Sequence, residues 1–312
     1  MELIRGLGNL QARHHGCVAT IGNYDGVHRG HQQVLKGLAA RARERGLPAT
    51  VVVFEPTPQE YFTPASPPAR LMNFREKWRA LAECGVDRVL CLRFNRTLAA
   101  VPAETFIERV LIRGLGVQHL VVGDDFRFGH ERAGDFAMLK TASAGHGFEV
   151  AATPSLMLEG ERVSSTRIRE CLAAGKLELA AQLLGRPFSL SGRVVNGDRL
   201  GHTLGFPTAN ILLKRRVSPV HGIFVAAVHG IGGASHYGAA YVGNRPAVNG
   251  QRVMLEVFIF NFTGELYGQR LHVELLHQLR GEANFENLEA LKVQMTRDVA
   301  TACGWLKQQN LD

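Results

Sequence analysis

The residues best suited to chemistry lie near the start of the chain, in Thr20-Ile21-Gly22-Asn23-Tyr24-Asp25-Gly26-Val27-His28-Arg29-Gly30-His31. Cys17 to Gly22 reads as a buried strand. The glycine-bearing turn after it leads into Gly30 to Gly46, where Val34, Leu35, Leu38, Ala39 and Ala42 recur at helical spacing. A helix N-terminus presents unpaired N–H groups and a partial positive charge, which together make an anion site. His28 and His31 on one face add donors for phosphate oxygens, and Gly30 between them lets the backbone come close. Such a turn, with Gly22, Asn23 and Gly30 as further phosphate-binding candidates, suits an α-phosphate under attack and a departing pyrophosphate. That reaction needs positioning and charge neutralisation and no protein nucleophile. The alternatives are a zinc pair or two surface histidines, and no Cys/His cluster supplies the further ligands zinc needs.

A second stretch, Val163-Ser164-Ser165-Thr166-Arg167-Ile168-Arg169, sets hydroxyls at a helix start and two arginines within one turn. It reads either as a second phosphate grip, with Ser165, Thr166 and Arg169 in contact, or as a plain N-cap with surface arginines. Further on, glycines at 197, 201 and 205 punctuate a loop that runs into Phe206-Pro207-Thr208-Ala209-Asn210. Gly201 and Gly205 allow a backbone to wrap a polyphosphate, and Thr208 and Asn210 offer oxygens suited to Mg²⁺. A long barrel turn is the other reading. In Val253 to Phe260, strand alternation puts Met254, Glu256, Phe258 and Phe260 on one face. A carboxylate among aromatics suits a base that takes a proton from an alcohol, its pKa drawn upward; the alternative is an edge-strand glutamate reaching solvent.

These groups need elements to hold them. Through residue 185, short apolar strands at 17–22, 49–54, 88–92 and 119–122 alternate with helical patterns at 30–46, 73–84 and 102–113, which implies a mostly parallel sheet covered on both faces. Ligands bind such sheets beyond the carboxyl ends of the strands. After Leu184-Gly185-Arg186-Pro187 the pattern changes to strands at 190–195, 222–228, 237–242, 253–260 and 269–276, a small antiparallel barrel or sandwich. A last helix carries Leu288, Leu291, Met295 and Val299. The expected domains are 1–185 and 186–312.

A length of 312 residues with 46% hydrophobic and 21% charged residues is ordinary globular composition. No apolar stretch approaches the roughly 18–20 residues of a membrane span, and the start has no secretory pattern, so a cytoplasmic protein is expected. Five scattered cysteines suit reduced thiols. A net charge of +8 favours polyanions. Nucleic acid is the less favoured partner, because the aromatic face of 253–260 has no Lys or Arg beside its rings. Oligomeric state is left open.

The first two stretches resemble the nucleotidylyltransferase superfamily, with its H-x-G-H and S-T-x-x-R marks. Together with Val122-Gly123-Asp124-Asp125-Phe126-Arg127-Phe128-Gly129 they resemble the FMN adenylyltransferase module of bacterial FAD synthetases. The second half resembles riboflavin kinase in the G-x-x-x-G-x-x-L-G-F-P-T-A-N loop, Gly243-Asn244-Arg245-Pro246, Leu255-Glu256-Val257 and Leu266-Tyr267-Gly268. The resemblance to bifunctional prokaryotic FAD synthetase implies a Rossmann-like α/β domain followed by a kinase barrel, with ATP, riboflavin and FMN as substrates. It implies His28 and His31 on the ATP phosphates, and Ser165, Thr166 and Arg169 on the pyrophosphate side. Asp125 would organise the nucleotide site, and Phe62 and Phe128 would pack on the flavin unless they serve as core or loop packing. In the barrel it implies Thr208 and Asn210 on Mg·ATP and Glu256 activating the ribityl 5′-hydroxyl. Departures from the family pattern are Thr57 for a histidine, His202 for a basic residue, Ala247 for a threonine, and Phe258 and Asn261. Most fall in the second half, so the alternative is a chain in which only the adenylyltransferase half is active.

Overall fold

The computed structural model of the chain describes residues 1–197, 200–213, 215–247 and 250–311; the side chains of His202 and Ala247 lie outside what is described. By compactness the chain forms two units, Met1–Pro68 with Phe74–Ser164, and Ala69–Asn73 with Ser165–Asp312.

The first unit is built on six parallel strands: β1 (Glu2–Arg5), β2 (Cys17–Ile21), β3 (Ala49–Glu55), β4 (Arg88–Arg93), β5 (Val117–Gly123) and β6 (Glu149–Thr153). They lie in the order β1-β4-β3-β2-β5-β6. Every residue of β2 is buried, as are the first five of β3, which is the burial expected of strands covered on both faces. Val52 enters a core with Ile107, Val110, Leu111 and Leu139, while the pleat turns Val51 and Val53 to the opposite face. Helix α1 (Arg29–Glu44) buries Leu35, Leu38, Ala39 and Ala42. It stops where Gly46 takes a φ of +62°, its N–H and that of Leu47 bonding back to the Arg43 and Ala42 carbonyls.

Helices α2 (Pro58–Phe62) and α3 (Phe74–Glu83) lie between β3 and β4, and α4 (Arg96–Ala99) and α5 (Ala103–Phe106) between β4 and β5. The helical pattern over 102–113 continues from α5 as a π-helical turn, Ile107–Ile112. Helix α6 (Phe136–His146) precedes β6, and a short hairpin of β7 (Met157–Leu158) and β8 (Glu161–Arg162) follows it. Because β2 has β3 on one side and β5 on the other, strand order reverses between β2 and β5. The loops leaving these two strands carry His28 and Asp125, at the place where open α/β sheets take ligands.

The second unit opens with α7 (Ser165–Ala173) and α8 (Leu177–Leu184). A closed barrel follows, made of β9 (Phe188–Val195), β10 (Thr208–Leu212), β11 (Gly222–Ile231), β12 (Ala234–Ala247), β13 (Gly250–Ile259) and β14 (Arg270–Arg280), in the order β10-β13-β12-β11-β14-β9. Leu190, Ile211, Phe224, Val242, Leu255, Val257 and Val273 are buried within it. The loop read over 197–210 contains one helical turn, α9 (Leu200–Thr203), and ends inside β10.

Helix α10 (Leu288–Gln308) is capped by Asn287 and packs Ala302 and Leu306 against Val225 of the barrel wall. Its polar tie is Asp298, which accepts from Arg280 Nη2 at 2.7 Å and from Arg280 Nε at 3.0 and 3.1 Å. Gln294 donates to the same carboxylate at 2.8 Å. Truncating one member of a largely buried, doubly bonded pair strands the other charge and costs roughly 3–5 kcal/mol. Asp298→Ala should therefore lower the denaturant midpoint of the barrel unit clearly. A midpoint equal to that of the parent protein would show that apolar packing alone holds α10.

Candidate active sites

After β2 the chain turns through a left-handed run, with φ of +49° at Tyr24, +84° at Gly26 and +39° at Val27. A β-branched residue there is strained, and such strain concentrates at functional turns. The turn delivers His28 to the N-cap of α1, where its Nδ1 accepts the His31 backbone N–H at 3.3 Å. With Nδ1 an acceptor, the neutral ring carries its proton on Nε2. The His28 and His31 rings stack with centroids 3.6 Å apart and 17° between planes. Tyr24, its hydroxyl 2.7 Å from Thr20 Oγ1, holds its ring 4.9 Å from His31.

Glycine at position 30 has a specific cause. A Cβ there would stand 3.3 Å from the His28 ring, so Gly30 makes room for the imidazole as well as for close approach of the backbone. At Gly22 a Cβ would come within 3.0 Å of the Tyr24 ring. Asn23 is exposed on the same turn. His31 is half-buried, and its Nδ1 is fully buried with no hydrogen-bond partner among the described residues. Burial, followed by the charges of His28, Lys77 and Arg162, holds its imidazole well below the usual histidine range. At neutral pH His31 therefore carries one N–H to donate and no net charge.

Asp125, at the end of β5, pairs with Arg162 of β8 at 2.6 Å, and that guanidinium holds its carboxyl below the usual range. Phe62 and Phe128 stand at opposite ends of one aromatic row. Phe62 packs on Phe94, Phe94 on Phe54, Phe54 on Phe106 and Phe106 on Phe128, with ring centroids 5.7, 5.9, 6.4 and 5.8 Å apart. The two ends differ in access: Phe62 is 64% exposed, whereas Phe128 is 7% exposed and stacked on Phe126. Thr57 serves the fold locally. It forms a capping box with Glu60 at the start of α2, its N–H donating to the Glu60 carboxylate at 2.9 Å.

Ser165, Thr166 and Arg169 occupy the first turns of α7, in the second unit. Thr166 is exposed and Ser165 half-buried. Arg169 Nε donates to the Ala69 carbonyl at 2.6 Å, which ties the 69–73 segment to this unit.

The barrel site centres on register. In the antiparallel pair of β10 and β13, Asn210 stands directly opposite Glu256, and on the other side of β13 Tyr241 stands opposite Glu256. Directly paired residues share a face of the sheet, so the carboxylate lies between an amide and a phenol. Glu256, Thr208, Phe206, Tyr241 and Phe258 line a cavity of about 290 Å³, which Leu291, Met295 and Val299 of α10 close from the far side. The departure at Phe258 puts an aromatic ring on the cavity wall, edge-on to Phe206 with centroids 5.4 Å apart. Asn261 takes a φ of +53°, a conformation asparagine tolerates better than most residues.

The glycines of the 197–210 loop are explained by close packing. A Cβ at Gly201 would strike the Phe206 carbonyl and one at Gly197 the Asn210 amide, while Gly205 takes a φ of +89°. Asn210 donates its Nδ2 to the Thr208 carbonyl at 3.3 Å, which leaves its Oδ1 as a ligand. Two neutral oxygens beside a carboxylate make a hard donor set, and that fits a Mg²⁺ that keeps waters and shares substrate phosphates.

Several site residues carry no mark in the sequence. Lys77 lies in the pattern Arg75-Glu76-Lys77-Trp78-Arg79, which reads as a solvated helix face, yet it is 2% exposed with its Nζ 3.6 Å from Glu55. Arg162 opens the Arg162-Val163-Ser164-Ser165-Thr166-Arg167-Ile168-Arg169 stretch, but nothing in that stretch marks it as the partner of Asp125, and Tyr241 is a single residue without a chemical mark of its own. The pairing of Asn210 with Glu256 needs a register that sequence spacing does not give.

A family model for FAD synthetase matches residues 10–167, and one for riboflavin kinase matches 184–306. The chain is 50% identical over 303 residues to a bifunctional riboflavin kinase/FMN adenylyltransferase of Escherichia coli K12, which covers 97% of each chain. It is 52% identical over 303 residues to one of Pseudomonas fluorescens, again 97% of each. A crystal structure described as a macrolide-efflux protein from Streptococcus pneumoniae superposes with a TM-score of 0.80 at 29% identity, over 95% of this chain and 97% of that one. Among the described residues here, no helix is long and apolar enough to cross a membrane. With both models matched in order and relatives similar over nearly their whole length, the chain belongs to the bifunctional riboflavin kinase/FMN adenylyltransferase family.

Proposed function

We propose that this chain phosphorylates riboflavin to FMN at the barrel cavity and adenylylates FMN to FAD at the β2–α1 turn, with ATP as donor in both reactions. The observation that carries the reading is the register that sets Glu256 opposite Asn210 on a cavity wall that also bears Thr208. It gives the half with more departures a base and a ligand set at one point. The match of both family models likewise supports two activities over one.

In the phosphoryl transfer, Glu256 takes the proton from the ribityl 5′-hydroxyl as that oxygen attacks the γ-phosphorus and ADP leaves. Thr208 and Asn210 hold Mg²⁺, which when bound neutralises charge on the phosphates. The aromatic and aliphatic walls of the cavity exclude water and take the flavin ring, and Gly201 and Gly205 let the loop follow the phosphates.

In the adenylyl transfer, a phosphate oxygen of FMN attacks the α-phosphorus and pyrophosphate departs. His28 donates from Nε2, His31 donates from its ring, and the first N–H groups of α1 lie behind them. Gly22, Asn23 and Gly30 shape the turn. Asp125, held by Arg162, faces the nucleotide, and Ser165, Thr166 and Arg169 take the pyrophosphate side. Phe62, exposed, offers its face to the flavin, while Phe128 supports the aromatic row from within the core. The functional modules are 1–185 and 186–312, and a cytoplasmic location suits these small-molecule substrates.

Two variants test the assignment on the full chain, with riboflavin and FMN supplied separately as acceptors. Glu256→Gln should lower FMN formation about 10²–10⁴-fold, the usual contribution of a positioned base, while added FMN is still adenylylated. Undiminished phosphorylation would remove Glu256 as the base. His28→Ala should lower FAD formation from FMN about 10²–10³-fold, the scale of losing one preorganised donor, with phosphorylation of riboflavin kept. Loss of both activities in either variant would mean that the two units do not act independently.

A further inference from the structure

We propose that Tyr241 is a positioning residue for riboflavin phosphorylation: through Glu282 it holds the segment between β14 and α10 to the strand that faces Glu256. This rests on the phosphoryl-transfer reading of the barrel cavity.

Residues 281–287 join β14 to α10, and Glu282, Ala283 and Phe285 of this segment line the same cavity as Glu256 and Tyr241. Among the described residues, 282–286 make no backbone–backbone hydrogen bond, so side chains must hold this stretch of wall. Its two ends are anchored: Arg280 pairs with Asp298, and Asn287 caps α10. Between those anchors the Arg280 guanidinium lies 5.7 Å from the centre of the Phe285 ring, a contact within the segment's own neighbourhood. The Tyr241 hydroxyl reaches in from β12, donating to Glu282 Oε1 at 2.8 Å across 41 positions of sequence.

Tyr241 stands directly opposite Glu256 in the pairing of β12 with β13, and such partners share a face with their Cβ atoms about 4.5–5.5 Å apart. The hydrogen bond therefore ties the 282–286 wall to the strand position beside the base. Gly243, two residues along β12 on the same face, has its cause in this contact. A Cβ there would run into the Tyr241 hydroxyl and stand 2.5 Å from Glu282 Oε1. A phenol donating to a carboxylate belongs to the stronger, charge-assisted class of hydrogen bonds. With the tie in place, Ala283 and Phe285 form a wall already ordered when riboflavin arrives. Without it, binding of the flavin must order the segment, and that cost appears in riboflavin affinity. Mg·ATP, held from β10 by Thr208 and Asn210, is spared.

The test is the steady-state kinetics of riboflavin phosphorylation by the full chain, read as ADP release, with adenylylation of added FMN as the control for folding. Y241F removes the hydroxyl and keeps the ring; E282A removes the acceptor, and E282Q keeps one. Y241F and E282A should each raise KM for riboflavin about 3–10-fold, the scale of one net hydrogen bond, with kcat and KM for Mg·ATP near the parent values. Y241F/E282A should be no worse than either single variant, because both remove the same bond, and E282Q should stay close to the parent. A parent-like KM for riboflavin in Y241F would overturn the proposal, as would additive effects in the double variant. So would an equal rise in KM for Mg·ATP, or an E282Q as impaired as E282A. If the parent chain itself makes no FMN from riboflavin, the underlying reading fails before Tyr241 is at issue.

Discussion

The hydrogen bond from the His31 backbone N–H to His28 Nδ1 is the contact on which the first site depends. It closes one unpaired donor at the start of α1 with a side chain that is itself a donor at its other nitrogen. It fixes which nitrogen of His28 carries the proton, and it brings the two rings into a stack. The surrounding structure follows from keeping that arrangement. The left-handed turn from Tyr24 to Val27 delivers His28 at the cap, glycine at position 30 clears the ring, and β2, buried along its whole length, anchors the turn at the switch in strand order.

On the proposed reading, the barrel meets the same problem, crowded phosphate charge, by other means. Antiparallel register supplies the convergence, setting Asn210 opposite Glu256 and Thr208 two residues along the same strand, and α10 closes over them. The Arg280–Asp298 tie holds that cover to the barrel wall. On that reading, one unit works through backbone dipoles and imidazole donors, the other through hard oxygen ligands and a carboxylate base. The difference matches the chemistry: attack by a phosphate oxygen, already ionised, needs no base, whereas attack by an alcohol does.

Much of this was legible from the residues. The strand–turn–helix around His28 and His31 was readable because three local signals coincide, an apolar strand, glycines and a periodic helix. The barrel strands showed by alternation. Strand β10 did not, because Gly205, Phe206 and Pro207 immediately before it read as a loop and only five residues of alternation follow. Strand β1 is four residues long and β6 half-exposed, so neither has a run that stands out. Lys77 was hidden for a physical reason: a lysine in a charged helical segment reads as solvated, and only the tertiary approach of Glu55 makes its burial tolerable. Phe62 and Phe128 appeared equivalent in sequence, whereas one ends an aromatic row at the surface and the other ends it in the core.

The central claim is that one chain cleaves ATP at two different phosphorus atoms. The most direct measurement is product stoichiometry, with the purified full chain given riboflavin and excess Mg·ATP and followed until the flavin is consumed. The account predicts FAD as the end product, with one ADP and one pyrophosphate released for each FAD and FMN rising and falling between them. Accumulation of FMN with ADP and no pyrophosphate, or riboflavin left unchanged, would contradict it.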